Sequence, residues 1–243
     1  MSVEFDQIPF EPAYRKVADA IGERILTRVL REGERLPPET ELARQFGVHR
    51  STVREALREL QSRGLLERRT GSKRMSVSRP PHERIAAGVS QALLLHDVTV
   101  REVWQALTIL EPPIAGSAAL ARSAQDLLAL DAAAAAFSAR RAGAEEAVRC
   151  TTEVFRCIAR ATHNTVLGLA QEPLLQLLEP SLRVIIDKVP QARSRIALAH
   201  EQLRTSIHSG DESQARRWME RHIADFRRGY ELAGIDLGLV LTL

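Results

Sequence analysis

Val48-His49-Arg50-Ser51-Thr52-Val53-Arg54-Glu55-Ala56-Leu57 is the stretch on which the reading of this chain turns. On a helix, Arg50 and Arg54 fall one turn apart on one face with Ser51 beside them. Val53, Ala56, Leu57 and Leu60 follow the opposite face, the one that packs inward. Guanidinium groups and hydroxyls offered from the N-terminal half of a short helix suit the DNA major groove, where Arg bridges guanine O6 and N7. A solvated surface helix with ordinary charges would look the same in isolation. The flanking sequence has to decide.

Upstream, residues 12–31 carry Tyr14, Val17, Ile21, Ile25 and Val29 at helical spacing, which predicts one amphipathic helix ended by Gly33. Leu36-Pro37-Pro38 forces an extended approach, and Glu39 to Phe46 reads as a short helix with Leu42, Ala43 and Phe46 inward. Gly47-Val48 makes the tight turn, and the opening helix runs from Arg50 to about Arg63, stopped by Gly64. Two short strands, Leu65–Arg69 and Arg74–Ser78, flank a turn containing Gly71. Helix, helix, turn, helix, hairpin is the order of a winged helix-turn-helix.

Charge follows the same division. The net charge is only +3, yet residues 1–78 hold 15 Lys/Arg against 12 Asp/Glu, while residues 79–243 hold 19 against 19. Arg63, Arg68, Arg69, Lys73 and Arg74 face only Glu67 across the predicted wing, a basic stripe suited to phosphate.

The remaining chain is long enough for a second core. With 44% hydrophobic, 27% charged and 4% aromatic residues, the whole chain of 243 residues reads as globular and strongly helical. No segment approaches the roughly eighteen uninterrupted apolar residues of a membrane span. Met1-Ser2-Val3-Glu4-Phe5-Asp6 lacks a basic-then-apolar signal pattern, so a cytoplasmic location without membrane contact is expected. Cys150 and Cys157 lie about two turns apart on one predicted helix, too far for a disulfide.

The predicted organisation is a winged helix-turn-helix at residues 10–78, a stiff linker at 79–83 around Arg79-Pro80-Pro81, an all-α bundle of six to seven helices at 84–234, and an apolar tail at 235–243. The first bundle helix is marked by Ile85, Val89, Ala92 and Leu93. The second is marked by Val100, Val103, Leu107 and Leu110, and must bend at Pro112-Pro113 before continuing to about Arg122. Ser123 with Asp126 resembles a capping box opening the Ala-rich helix 124–142. Gly143, then Pro173, Pro180 and Pro190, punctuate the following helices, and Asp211 is a natural N-cap for the last. The tail Asp236 to Leu243 is too apolar to wave in water and should pack on its own bundle, on a partner subunit or on the winged domain.

Leu36-Pro37-Pro38-Glu39, Glu41-Leu42-Ala43 and Gly47-Val48, followed by Arg50 to Leu57, closely resemble the DNA-binding domain of the GntR family. The resemblance implies a DNA-binding regulator rather than an enzyme, with contacts from Arg50, Ser51, Thr52 and Arg54 and from the wing around Gly71, Lys73 and Arg74. Two positions depart from the pattern. His49 stands where the family usually has Ser or Thr, at a position that could cap the recognition helix. Thr40 stands where it commonly has a further DNA-contacting Arg. Both bear on the operator sequence.

The bundle carries a second, looser resemblance, to the FCD effector domain of the FadR branch. Leu110-Glu111, Ala118-Ala119, Phe155, His163-Asn164, His200, Gly210-Asp211, Ala215, Met219 and His222 carry it. It implies a homodimer acting on a pseudo-palindromic operator, and a small organic acid bound in the bundle, often through a divalent metal held by one Asp and three His. His200 and His222 match two ligand positions, but Thr152 and Arg156 occupy the other two. Arg has no lone pair to offer. Zn, Mn or Ni at His200 and His222 is therefore disfavoured, and no cofactor is expected. Arg156 would instead pair with the effector carboxylate, helped by Thr152, His200 and His222, beside a wall where Leu107 replaces a family Arg. The bland alternatives are an Arg156 salt-bridged to Glu153 or Glu172, and histidines that are satisfied core residues. Relatives of this kind are mostly repressors. An acyl-CoA effector, or a bundle that only dimerises, are the other readings.

Overall fold

The computed structural model describes residues 12–68, 71, 74–80, 82–138 and 143–242. They divide into two compact units, with the boundary between Pro81 and His82.

In the first unit α1 (Ala13–Leu26), α2 (Glu39–Phe46) and α3 (Arg50–Ser62) are followed by β1 (Leu66–Arg68) and β2 (Met75–Val77). Helix α1 ends five residues earlier than the apolar spacing predicts. The Thr27 hydroxyl donates back to the Glu23 carbonyl at 2.7 Å, Arg28 takes a left-handed φ of 61°, and Val29 ends up 68% exposed. Gly33 serves the sheet instead of the helix end, donating its N–H to the Val77 carbonyl at 2.9 Å. Gly47, at φ 64°, makes the left-handed turn from α2 towards α3.

The strands pair antiparallel with Leu66 opposite Val77 and Arg68 opposite Met75, and Arg35 bridges Ser76 on the other edge of β2. Leu36, Leu66, Met75 and Val77 thereby join Val17, Ile21, Leu42, Val53, Leu57 and Leu60 in one core. Each large aliphatic side chain buried there is worth about 1.5–3 kcal/mol. Helix α3 sits on this core by its Val53, Ala56, Leu57 and Leu60 face, leaving the other face outside.

The second unit holds seven helices among the described residues: α4 (His82–Leu95), α5 (Val100–Ala121), α6 (Ala124–Ser138), α7 (Ala144–Ala161), α8 (Thr165–Lys188), α9 (Ala192–Ser209) and α10 (Glu212–Ala233). Two expectations need correcting. Helix α5 continues through Pro112 and Pro113 to Ala121, as expected, but α8 also runs through Pro173 and Pro180, so those two prolines mark no boundary. On α4 the inward positions are Ala86 and Ser90, while Ile85 and Val89 face outward, 40% and 45% exposed. Ser90 sets this register: its hydroxyl reaches the Pro173 carbonyl at 3.4 Å and Gln176 Oε1 at 3.0 Å on α8.

The capping residues behave as their chemistry demands. Ser123 and Asp126 form a reciprocal box at the start of α6, and Asp211 accepts from the Gln214 N–H at 2.9 Å. Residues 139–142, assigned to the Ala-rich helix from sequence, lie outside the described residues. Neither Cys150 nor Cys157 is in a disulfide, and both are buried.

The tail packs on its own bundle. Leu239 and Leu237 carbonyls accept the N–H groups of Val100 and Arg101 at the start of α5, at 3.1 and 2.9 Å, and the Leu241 N–H donates to Val98. Leu241 is buried in the core. No described helix is long and apolar enough to cross a membrane.

Candidate nucleic-acid interface and bundle interior

Helix α3 starts at an unusual cap. His49 has extended backbone angles, and its Nδ1 accepts the Ser51 N–H at 3.4 Å while lying 2.9 Å from the Ser51 hydroxyl. An imidazole thus does the work of the family's Ser or Thr, satisfying one of the helix's orphan donors. Arg50, Ser51 and Arg54 stand exposed on the outer face, and Thr52 is half-buried.

Arg54 is held from below: its Nε and Nη2 donate to Glu39 Oε2 at 3.4 and 3.3 Å. Sequence reasoning gave Glu39 no role, because the two are fifteen positions apart and meet only when α2 crosses α3. Beside them, a cleft of about 330 Å³ is lined by Thr40, Arg50, Arg68 and Arg74 together with Glu39 and Pro37. The structure therefore gathers both halves of the expected DNA-binding set, the helix face and the wing base, around one concavity. Gly71 takes φ 79° at the wing tip. Lys73 lies outside the described residues.

In the bundle, the expected effector constellation separates into two groups. His200 on α9 and His222 on α10 meet edge to face, with ring centroids 5.4 Å apart. Phe137 lies 5.0 Å from His200, and Phe155 and Phe226 lie 5.4 and 4.8 Å from His222. Both nitrogens of His200 and Nε2 of His222 lack a hydrogen-bond partner. Burial holds the pKa of His222 down at about 4, partly opposed by Asp225. Burial, then the neighbouring His222, pushes His200 well below its ordinary value.

Arg156 and Thr152 point elsewhere. The Arg156 guanidinium makes a bidentate pair with Glu172 on α8, Nε to Oε2 and Nη2 to Oε1, both at 2.8 Å. Its Nη1 donates to Thr152 Oγ1 at 3.0 Å, and Nη2 reaches Glu179 at 3.5 Å. Burial opposes the charge on Arg156, but Glu172, then Glu179 and Glu153, more than offset it and raise its pKa.

The cavities separate along the same line. A cleft of about 450 Å³ is lined by Arg156, Arg160, His163, Asn164, Glu172 and His82, among others. His200 instead lines a cleft of about 250 Å³ between α6 and α9, and His222 a crevice of about 30 Å³ near Asp225. The expectation that Arg156, Thr152, His200 and His222 share one cavity is corrected accordingly: Phe155, between Thr152 and Arg156 in register, fills the histidine side, and Glu172 draws Arg156 to the other. Leu107 is fully buried in the apolar core and lines neither cleft.

This donor set does not fit a divalent metal. Thr152 is committed to Arg156, Arg156 is a cation, and the two histidines sit among phenyl rings. Among the described residues no three His, Cys, Asp or Glu side chains gather as a metal site. A buried carboxyl that sequence reasoning missed lies at Glu111 on α5. Its Oε2 accepts from Gln171 Nε2 at 3.0 Å, its Oε1 has no partner, and burial pushes its pKa up to about 8. In the sequence Glu111 is part of the Leu110-Glu111 match to the FCD domain and an acid in an otherwise apolar helix face, and neither signal gave it a role in a site.

A winged helix-turn-helix with a basic outer face, followed by an all-helical bundle, defines a two-domain regulator class. Residues 13–73 match the model of bacterial regulatory proteins of the gntR family, and residues 102–225 match the FCD domain. The chain belongs to the GntR family and carries an FCD domain. It is 35% identical over 157 residues to an uncharacterized HTH-type transcriptional regulator of Mycobacterium tuberculosis, covering 63% of each chain. It is 32% identical over 158 residues to the Uxu operon transcriptional regulator of Escherichia coli, covering 63% of this chain and 60% of that one. The aligned part thus spans under two thirds of either relative. Among solved structures, a GntR protein of Streptococcus agalactiae superposes with a TM-score of 0.58 at 25% identity, covering 88% of this chain and 99% of that one. These relatives are regulators, not enzymes.

Proposed function

We propose that the chain is a cytoplasmic, homodimeric transcriptional repressor that binds a pseudo-palindromic operator and is released by a small carboxylate-containing metabolite. The observation that carries the DNA-binding part is the His49-capped α3, which offers Arg50, Ser51 and Arg54 outward beside a cleft walled by Arg68 and Arg74. Two such helices in a dimer would read two half-sites about one helical turn apart. Selection of bound fragments from random duplexes tests this: an inverted repeat should emerge, and an absence of any enriched motif would overturn the reading.

The effector part rests on Arg156, which borders a cleft of about 450 Å³, within the ordinary range for small-molecule sites. The carboxylate is proposed to bind this guanidinium directly, without a metal. One observation favours a bundle that senses nothing: Arg156 already has a carboxylate partner in Glu172. Thermal-shift screening of organic acids separates the two, because only a sensing bundle gains stability from a ligand.

A further inference from the structure

We propose, resting on the effector reading of Arg156, that Glu172 is a resident stand-in for the effector, and that the effector is a short-chain dicarboxylate which takes Arg156 from it. Three observations converge on this.

The first is the geometry of the pair. Both Glu172 oxygens are engaged by Arg156 at 2.8 Å, the planar fork that a free carboxylate would also satisfy. The Glu172 side chain is 4% exposed, whereas Arg156, at 18%, keeps an edge towards the cleft. A ligand therefore finds the guanidinium accessible and its present partner made of the same chemical group as itself.

The second is a second guanidinium. Arg160 lies one turn further along the same face of α7 and lines the same cleft, about 6 Å along the helix axis. It is half exposed, and its Nη2 is tied to Glu153 at 2.6 Å and to the Cys157 sulfur at 3.0 Å. Exposed pairs of that kind yield readily. Two arginines one turn apart match two carboxylates on a short flexible spacer better than one carboxylate on an apolar chain.

The third is the connection from Glu172 to the start of the bundle. The next residue, Pro173, accepts the Ser90 hydroxyl with its carbonyl, and Gln176 one turn on accepts from Ser90 at 3.0 Å and donates to the Glu83 carbonyl at 3.2 Å. His82 and Glu83, in the first turn of α4, line the cleft itself. Helix α4 follows Pro80-Pro81 directly in sequence. A change at Glu172 thus reaches the segment that leaves the linker through three hydrogen bonds. The ligand has different contacts in the two states of Glu172, as any shift of an equilibrium requires.

The test uses the full chain with succinate, glutarate and adipate as probes, and butyrate as the single-carboxylate control, in titration calorimetry. At least one dicarboxylate should bind. Glu172→Gln, which keeps the shape but weakens the competitor, should bind it at least about five-fold more tightly, and Arg156→Ala should not bind it. Equal or weaker binding by Glu172→Gln, with binding still lost in Arg156→Ala, overturns the stand-in role and leaves the effector site intact. Undiminished binding by Arg156→Ala overturns the effector site itself. Butyrate binding as well as the dicarboxylates, or no probe binding to wild type or Glu172→Gln, overturns the ligand class. Should Glu172→Gln fold poorly, the wild-type protein still decides. Amide exchange in α4 and the first turns of α8 should rise when the dicarboxylate binds, and unchanged protection there overturns the displacement.

Discussion

His200 and His222 meet edge to face at 5.4 Å in a cage of three phenyl rings, with three of their four ring nitrogens unpaired. Both are neutral in the fold because burial disfavours the imidazolium. Their folded pKa values lie below the unfolded value, so the unfolded chain binds more protons between about pH 4 and 6.5. Stability is then full above pH 6.5 and falls as pH drops towards 4. His222→Leu should flatten that fall. At about 1.4 kcal/mol per pKa unit, wild type should lose roughly 2–3 kcal/mol more than the variant between pH 7 and 4. Urea unfolding at the two pH values measures it, and equal losses would mean the histidines are solvated.

Glu111 gives the opposite slope. Its pKa is raised from 4.5 to about 8 by burial, so the folded state holds the extra proton between those values and stability falls as pH rises through the window. Glu111→Gln cannot ionise and retains an oxygen for Gln171. It should be more stable than wild type by roughly 2–4 kcal/mol at pH 9 and about equal at pH 4.5. Chemical denaturation across that range should show the two curves diverging with pH. Parallel curves would place Glu111 in contact with water.

Much of the fold was legible because its signals are local. Gly47, Gly64, Asp211 and the Ser123/Asp126 box each act within one turn of chain, and the α3 face follows from spacing alone. The errors came where tertiary partners overrule local preference. Ser90 turns α4 by one position because the acceptors its hydroxyl finds on α8, the Pro173 carbonyl and Gln176 Oε1, outweigh exposing Ile85 and Val89. Pro173 and Pro180 inside α8 lose one hydrogen bond each, and helix packing tolerates that loss where the sequence reading broke the helix. The site divided in the same way. His200 and His222 were found together from their apolar faces, but spacing could not say which side of α7 Arg156 would choose. That depended on Glu172, sixteen residues away.

The tail supplies acceptors that α5 would otherwise lack. The first N–H groups of a helix have no partner within it, and here Leu239 and Leu237 carbonyls take those of Val100 and Arg101, while Leu241 fills the core beneath. Truncation after Ile235 should remove both contributions, costing about 2–4 kcal/mol. The melting temperature of the truncated chain checks it, and an unchanged value would mean the tail is not held in solution.

On the DNA side, Glu39 braces Arg54 and does not compete with it for the outer face: the carboxylate sits at 3.3–3.4 Å on the α2 side, and the guanidinium remains half exposed. Arg50→Ala and Arg54→Ala should each cost about 1–3 kcal/mol on the selected operator, with relaxed preference at one base position. Glu39→Gln should keep most of the affinity and lose discrimination at the Arg54 position only, because a brace sets direction and not charge. Arg74→Ala should behave differently, weakening all duplexes alike and reducing the salt dependence by about one ion. Titrations of matched and mismatched duplexes at two salt concentrations separate these patterns. Unchanged operator binding by Arg54→Ala would show that α3 does not lie in the groove by this face.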